Sequence, residues 1–96
     1  MENPYRDTAS ETIWVYGTGI GDGYVTAQFA GDGLVYTASQ NIIPPGGALG
    51  WYHVTWNTSY IAAELDDARI KLIFYTSGAG SAMIYAMYTQ LKDASS

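Results

Sequence analysis

Short runs of alternating apolar and polar residues, separated by glycine, proline or asparagine, recur throughout this chain of 96 residues. Successive side chains of a β-strand point to opposite faces of the sheet, so this alternation predicts strands with one buried face. The breaks fall roughly every eight to twelve residues, a spacing typical of small two-layer β proteins. The sequence therefore predicts an all-β fold, a small antiparallel β-sandwich or jelly roll of about six to eight strands.

The tripeptide Gly-Asp-Gly occurs twice, beginning at Gly21 and at Gly31, each time just before a strand pattern. Asp-Gly favours tight turns because glycine adopts a positive φ without steric cost. We expect residues 30–33 to close a hairpin between strands at 24–29 and 34–39, and the glycine-rich stretch 17–23 to end its strand in a similar turn. Phosphate binding is disfavoured, because the glycine spacing differs from the dinucleotide motif and a strand pattern follows it.

Four further strands are predicted at residues 12–16, 51–56, 69–76 and 81–92. In the second of them, Tyr52, Val54 and Trp56 are expected to share one face of the sheet. The sequence Pro-Pro-Gly-Gly at 44–47 cannot continue a central strand, so it predicts a corner or a long crossing.

The pattern of residues 81–92 is compatible with either a helix or a strand. Its residue types favour a helix, but the glycine-rich link before it has the length of a hairpin, so we predict a strand paired with 69–76. Such a strand is expected to carry four large side chains on one face: Met83, Tyr85, Met87 and Leu91.

Residues 1–10 are predominantly polar, contain a proline and show neither structural period. We predict an extended N-terminal arm over 1–10 and a single β-sandwich domain over 11–96, since a chain of this length supports one core. Ordering such an arm costs backbone entropy that a partner surface would have to offset. Pro4, Tyr5 and Arg6 are therefore candidate contact residues.

The charge balance argues against two classes of partner. Nine acidic residues against four basic ones give a net charge of −5, whereas nucleic-acid and anionic-membrane binding depend on basic side chains. The first residues lack the basic and apolar regions of a signal peptide, and no apolar run approaches the ~20 residues that span a bilayer. We expect no nucleic-acid or membrane partner, and a cytoplasmic protein or one released without a signal peptide.

Few residues are candidates for metal or catalytic chemistry. The chain has no cysteine and His53 is its single histidine, which disfavours a zinc centre or a thiol nucleophile. A serine nucleophile would lack the motif that positions it. Calcium binding by loop carboxylates stays open, with Asp22, Asp32, Asp66 and Asp67 as the candidates. We predict no enzymatic activity, no cofactor and no metal site.

Aromatic residues are more numerous than one small core can hold. The chain contains three Trp, nine Tyr and two Phe, and each ring buries roughly 150–250 Å². Some rings must therefore face outward, with Tyr24, Trp51 and the adjacent His53 as candidate contact residues. Outward rings can form cross-strand pairs, a protein interface or a platform for sugars.

In size, acidity, lack of cysteine and predicted architecture, the whole chain resembles the decoration or cement proteins of bacteriophage capsids, although no diagnostic motif carries the likeness. The resemblance implies a non-catalytic structural protein of a virion, a capsid decoration or tail component that is a homo-oligomer, with a trimer favoured. The alternative is a carbohydrate-binding module or small lectin. The sequences GWYHVTW and DARIKLIFYTSGAGSAMIYAMY are broadly similar to the later strands of carbohydrate-binding jelly rolls.

Overall fold

The computed structural model of the chain describes residues 9–58, 65 and 67–92. Residues 1–8 of the predicted arm lie outside this part, so the division into an arm and one domain stays a prediction. The described residues form six β-strands and no helix. The strands are β1 (Ser10–Ile20), β2 (Tyr24–Ala30), β3 (Gln40–Ile43), β4 (Gly50–Asn57), β5 (Arg69–Tyr75) and β6 (Ser81–Lys92).

The strands form two three-stranded antiparallel sheets. Sheet 1 has the order β4-β1-β6 and sheet 2 has the order β3-β2-β5. Only the β2–β3 connection stays within one sheet. The predicted corner at 44–47 is confirmed, because it carries the chain from β3 in sheet 2 to β4 in sheet 1. The predicted all-β, sandwich-like architecture is confirmed.

The two sheets face each other across one apolar core. β1, β2 and β4 contribute alternate residues to it, as the period of two requires. β3 contributes the adjacent pair Ile42 and Ile43, while β5 and β6 pack partly buried residues against it. The buried cluster consists of Ile13, Val15, Val25, Ala27, Phe29, Ile42, Ile43, Val54 and Trp56. Phe29 of sheet 2 and Trp56 of sheet 1 stack with ring centroids 5.4 Å apart. Burying side chains of this size contributes roughly 1.5–3 kcal/mol each, so these rows provide the main attraction between the sheets.

The first glycine-rich stretch is only partly a turn. β1 continues through Gly17 and Gly19 to Ile20, which corrects the expectation that the strand ends before Gly17. Both glycines face inward, where a Cβ would collide with backbone carbonyl oxygens, so close approach of the backbone explains them. The turn itself occupies 21–23, with Gly21 at φ 64°. It joins strands of different sheets rather than the two strands of a hairpin.

The strand predicted at 34–39 is not formed, although the turn at 30–33 is confirmed. Oδ1 of Asp32 accepts hydrogen bonds from the backbone N–H groups of Leu34 (2.8 Å) and Val35 (3.0 Å). These bonds curl the chain and take both donors away from a sheet ladder. They also lower the pKa of Asp32, Val35 contributing more than Leu34. Thr37 still contacts β2, because its N–H donates to the carbonyl oxygen of Phe29 (2.8 Å) and its hydroxyl accepts from the Phe29 N–H (3.1 Å). Regular ladder pairing with sheet 2 begins only at β3.

The predicted strands β5 and β6 are confirmed, but they are not a hairpin. β5 pairs with β2 and β6 pairs with β1, so the link between them crosses from one sheet to the other. The Asp22 carboxylate anchors this link by accepting hydrogen bonds from the backbone N–H and the hydroxyl of Ser77. The link is thus tied to the β1–β2 turn, which lies at the same end of the sheets.

An irregularity in the β1–β6 pairing changes which side chains of β6 share a face. The register shifts between Tyr16 and Gly17. Met83 pairs with outward-facing Thr18, whereas Met87 pairs with inward-facing Val15. The expectation that the large residues of β6 lie on one face is therefore wrong, because a bulge reverses the alternation within the strand.

Candidate interaction surface

The outer face of sheet 1 brings together aromatic rings from all three of its strands. On β1, Trp14 and Tyr16 alternate with the buried Ile13 and Val15, so both rings point away from the core. Cross-strand pairing places rings of β4 and β6 on either side of them. We call this surface the aromatic face, and its ring-bearing residues are Trp14, Tyr16, Trp51, His53, Tyr85 and Tyr88.

The rings of the aromatic face contact one another across the strands. Trp14 stacks on His53 at 4.3 Å between ring centroids and on Tyr88 at 6.2 Å. Tyr16 packs against Trp51 at 5.3 Å. Trp51 also meets Tyr88 edge-on at 5.7 Å. Aromatic cross-strand contacts of this kind stabilise a sheet and fix the positions of its rings, so the face is a preformed surface.

Much of the aromatic face remains open to solvent. Trp51 is 52% exposed, Tyr85 62% and Tyr88 51%. The outward side chains of the three strands include no carboxylate. The basic residues among them are His53 and Lys92. On a chain with a net charge of −5, these outward side chains are aromatic or uncharged for the most part and carry no negative charge. Such patches mark interaction sites more often than featureless surface.

The predicted contact residues do not all meet. Trp51 and His53 lie on the aromatic face. Tyr24 lies on the outer face of sheet 2, where its ring stacks on Tyr75 at 4.7 Å, so the two sheets separate it from Trp51. Three further predicted contact residues lie outside the described residues: Pro4, Tyr5 and Arg6.

Sequence reasoning omitted Trp14 and Tyr88 from the contact residues. The alternation in residues 12–16 separates aliphatic from aromatic side chains, but both kinds are apolar and the pattern cannot tell which set is buried. For Tyr88, outward placement depends on the irregularity in the pairing of β6 with β1. The aliphatic side chains are the buried set in β1, a preference that could have identified Trp14.

The described residues do not gather groups for metal or acid–base chemistry. Asp22 precedes β2 and Asp32 follows it, so these two calcium candidates lie at opposite ends of that strand. Among the described residues, no three His, Asp or Glu side chains are placed to hold a metal ion. Asp66 lies outside this part of the chain, and His53 stacks on Trp14 on an open face.

Two of the grooves lined by described residues lie away from the aromatic face. One of ≈ 420 Å³ is lined by Asp22, Tyr24, Tyr75 and Ser77. The other, of ≈ 240 Å³, lies beside Asp32. Neither contains His53. The Asp22 carboxylate and the Ser77 hydroxyl meet in the first groove, but both grooves are open to solvent, so neither is a water-excluding site.

No family model matches this sequence, and no curated protein or solved structure is significantly similar to it. Within the described residues, no helix is long and apolar enough to cross a membrane.

Proposed function

We propose that this chain is a non-catalytic structural protein that acts through protein–protein contacts of its aromatic face. The observation that carries the proposal is the combination of half-exposed Trp and Tyr rings with the absence of carboxylates on that face. Trp and Tyr are enriched at protein interfaces, and charged residues are depleted from the centres of interfaces. The rings are already held by their neighbours, so binding would cost little side-chain entropy.

The surroundings of His53 support a non-catalytic role. A general base needs a positioned proton donor or acceptor and a cleft that excludes water. His53 instead stacks on Trp14, beside other rings, on the outside of a sheet. Its environment suits packing against a partner more than proton transfer.

The assembly that we propose is a virion, with the chain as a capsid decoration or tail component. Support comes from its small size, acidity and lack of cysteine, together with the two-sheet architecture. As part of the same proposal, the two sheets form a jelly roll. A virion would then be the location of the protein, and the N-terminal residues would provide additional contacts.

Sugar binding is the alternative for the same face. A sugar platform needs ring faces open to solvent, and half-exposed Trp51 is the residue that favours it. The stacked arrangement weighs against a broad platform, because Trp14 has rings on two sides, His53 and Tyr88. We therefore place protein contact first.

Site-specific photo-cross-linking in particles or cells that contain the chain tests the proposal. A photoreactive phenylalanine analogue replaces Trp51 in one sample. In the control it replaces Leu34, which is 82% exposed in the loop between β2 and β3. We expect position 51 to give a covalent adduct with a defined protein of a fast-sedimenting particle, and position 34 to give none.

Two results would contradict the proposal. One is the absence of any protein adduct at position 51 while the chain sediments freely. The other is glycan-array binding that Trp51→Ala abolishes, which would establish the sugar-binding alternative.

A further inference from the structure

We propose that a second copy of this chain pairs edge to edge with β6. The two β6 strands would run antiparallel about a two-fold axis normal to sheet 1, joining two three-stranded sheets into one of six strands. This inference shares with the proposed function only the idea that the chain acts through protein contacts. It uses the edge of sheet 1, whereas the proposed function uses its aromatic face.

β6 is a long edge strand without the usual protection. It has twelve residues and, among the described residues, pairs on one side only, with β1. Natural edge strands are commonly short, or carry proline or inward-directed charge, because free backbone N–H and C=O groups attract other strands. The sequence of β6 contains no proline, and its one charged residue is Lys92 at the end.

The other described edge strands are less suited to pairing, for different reasons. β3 has only four residues and is followed by Pro44. β5 carries Arg69 and Lys71. At β4 the inward residues Val54 and Trp56 are at most 8% exposed, so pairing there would cover little of their apolar surface. β6 is therefore the edge most open to pairing.

The side of the sandwich between β5 and β6 is incompletely covered. Phe74 of β5 lies opposite the buried Val25 and so faces inward, yet it is 50% exposed. Met87 and Leu91 of β6 also face inward and are 59% and 44% exposed. A second copy related by the two-fold axis would bring an identical apolar row against this one, extending both cores.

Charge placement favours antiparallel pairing with an identical chain. Lys92 lies at the end of β6, and Asp22 lies near its beginning, where its carboxylate accepts hydrogen bonds from Ser77 of the preceding link. Antiparallel pairing brings Lys92 of each copy towards Asp22 of the other, so opposite charges meet at both ends. An antiparallel strand pair also has two-fold symmetry of its own, so the same edge serves both copies.

Sedimentation velocity and native mass spectrometry of the full chain, over a range of concentrations, test the pairing. We expect a dimer. Met87→Lys and Met87→Glu should each weaken it by about tenfold or more, because each charge meets its own copy near the axis. Mixing the two variants should restore the dimer, since lysine then faces glutamate. Leu34→Lys is the control, because it adds the same charge on the exposed loop and should leave the dimer unchanged.

Circular dichroism of each variant at low concentration should match that of the unchanged chain, since Met87 is more than half exposed. A monomer at all concentrations, a trimer, or a dimer that both Met87 variants leave intact would overturn the pairing. Cross-linking from position 51 reports separately on the aromatic face. If position 51 gives a protein adduct but the chain forms no dimer, the proposed function is supported and the pairing through β6 is wrong.

Discussion

Glu11 is an ionisable residue that lies partly buried in β1. It is the only charged residue of β1 and lies on the inward side, paired with Trp56 and Leu91. Desolvation by burial raises its pKa. The folded protein therefore binds the Glu11 proton more tightly than the unfolded chain does, and the ionised carboxylate destabilises the fold.

We predict that Glu11→Gln stabilises the protein at about pH 7, by less than ~1 kcal/mol because water still screens this side chain. The destabilisation by the carboxylate is present above the raised pKa and disappears as pH falls through it. The advantage of the glutamine variant should therefore shrink between about pH 7 and pH 4. Denaturant titrations at several pH values measure this difference, and an advantage independent of pH would contradict the assignment.

Gly17 and Gly50 occupy paired positions on β1 and β4 but differ in their surroundings. A Cβ at Gly17 would collide with the backbone oxygen of Met83, whereas a Cβ at Gly50 would meet no atom within 4 Å. We predict that Gly17→Ala destabilises the fold by about 1–3 kcal/mol or more, through overpacking and backbone shifts. Gly50→Ala is the matched control and should be nearly neutral in thermal unfolding. Equal effects would show that β6 does not approach β1 so closely.

At the level of secondary structure, β4 shows how one strand serves two purposes. Its alternation places Val54 and Trp56 in the core and Trp51 and His53 on the aromatic face. The same strand therefore contributes both to stability and to the proposed interaction surface. The two tryptophans are five positions apart, so they point to opposite sides.

We predict that Trp56→Ala destabilises the protein by about 3–5 kcal/mol, because it removes a buried ring stacked on Phe29. A domain of this size has a total stability of about 5–15 kcal/mol, so much of it would be lost. Trp51→Ala should cost far less, since that ring is half exposed. Chemical denaturation followed by circular dichroism compares the two. Similar losses would mean that Trp51 also belongs to the core.

For the molecule as a whole, the most important feature is that one side of the core is closed and the opposite side is open to solvent. The side formed by β3 and β4 is closed, while Phe74, Met87 and Leu91 leave the side formed by β5 and β6 open. A chain of 96 residues has little apolar surface to spare. If a second copy covers the open side, folding and association are linked through mass action.

We predict that the melting temperature rises with protein concentration, by about 3 °C or more for each tenfold increase. Met87→Lys should move this dependence to concentrations about tenfold higher or more, while Leu34→Lys should leave it unchanged. Calorimetric scans at several concentrations provide the measurement. A melting temperature that stays constant over a hundredfold range would argue against linked association.

The sequence was sufficient for the class of the fold and for most of its strands. Period-two alternation identified β1, β2, β4 and β5, because burial of one face imposes that pattern on the residues themselves. The strand at β6 was predicted correctly, but from an expected hairpin with β5 that the structure does not contain. Local chemistry also identified the turn at 30–33. It failed at 34–39, where an alternating pattern is present but hydrogen bonds donated by Leu34 and Val35 to the Asp32 carboxylate hold the chain in a curl.

Only the tertiary structure decided which strands are neighbours and which face of each strand is outside. The link before β6 has hairpin length, yet β6 pairs with β1 in the other sheet. The grouping of Trp14, Trp51 and Tyr88 depends on that pairing and on one register shift. Alternation specifies that a strand has two faces, but contacts between residues far apart in sequence determine where each face points.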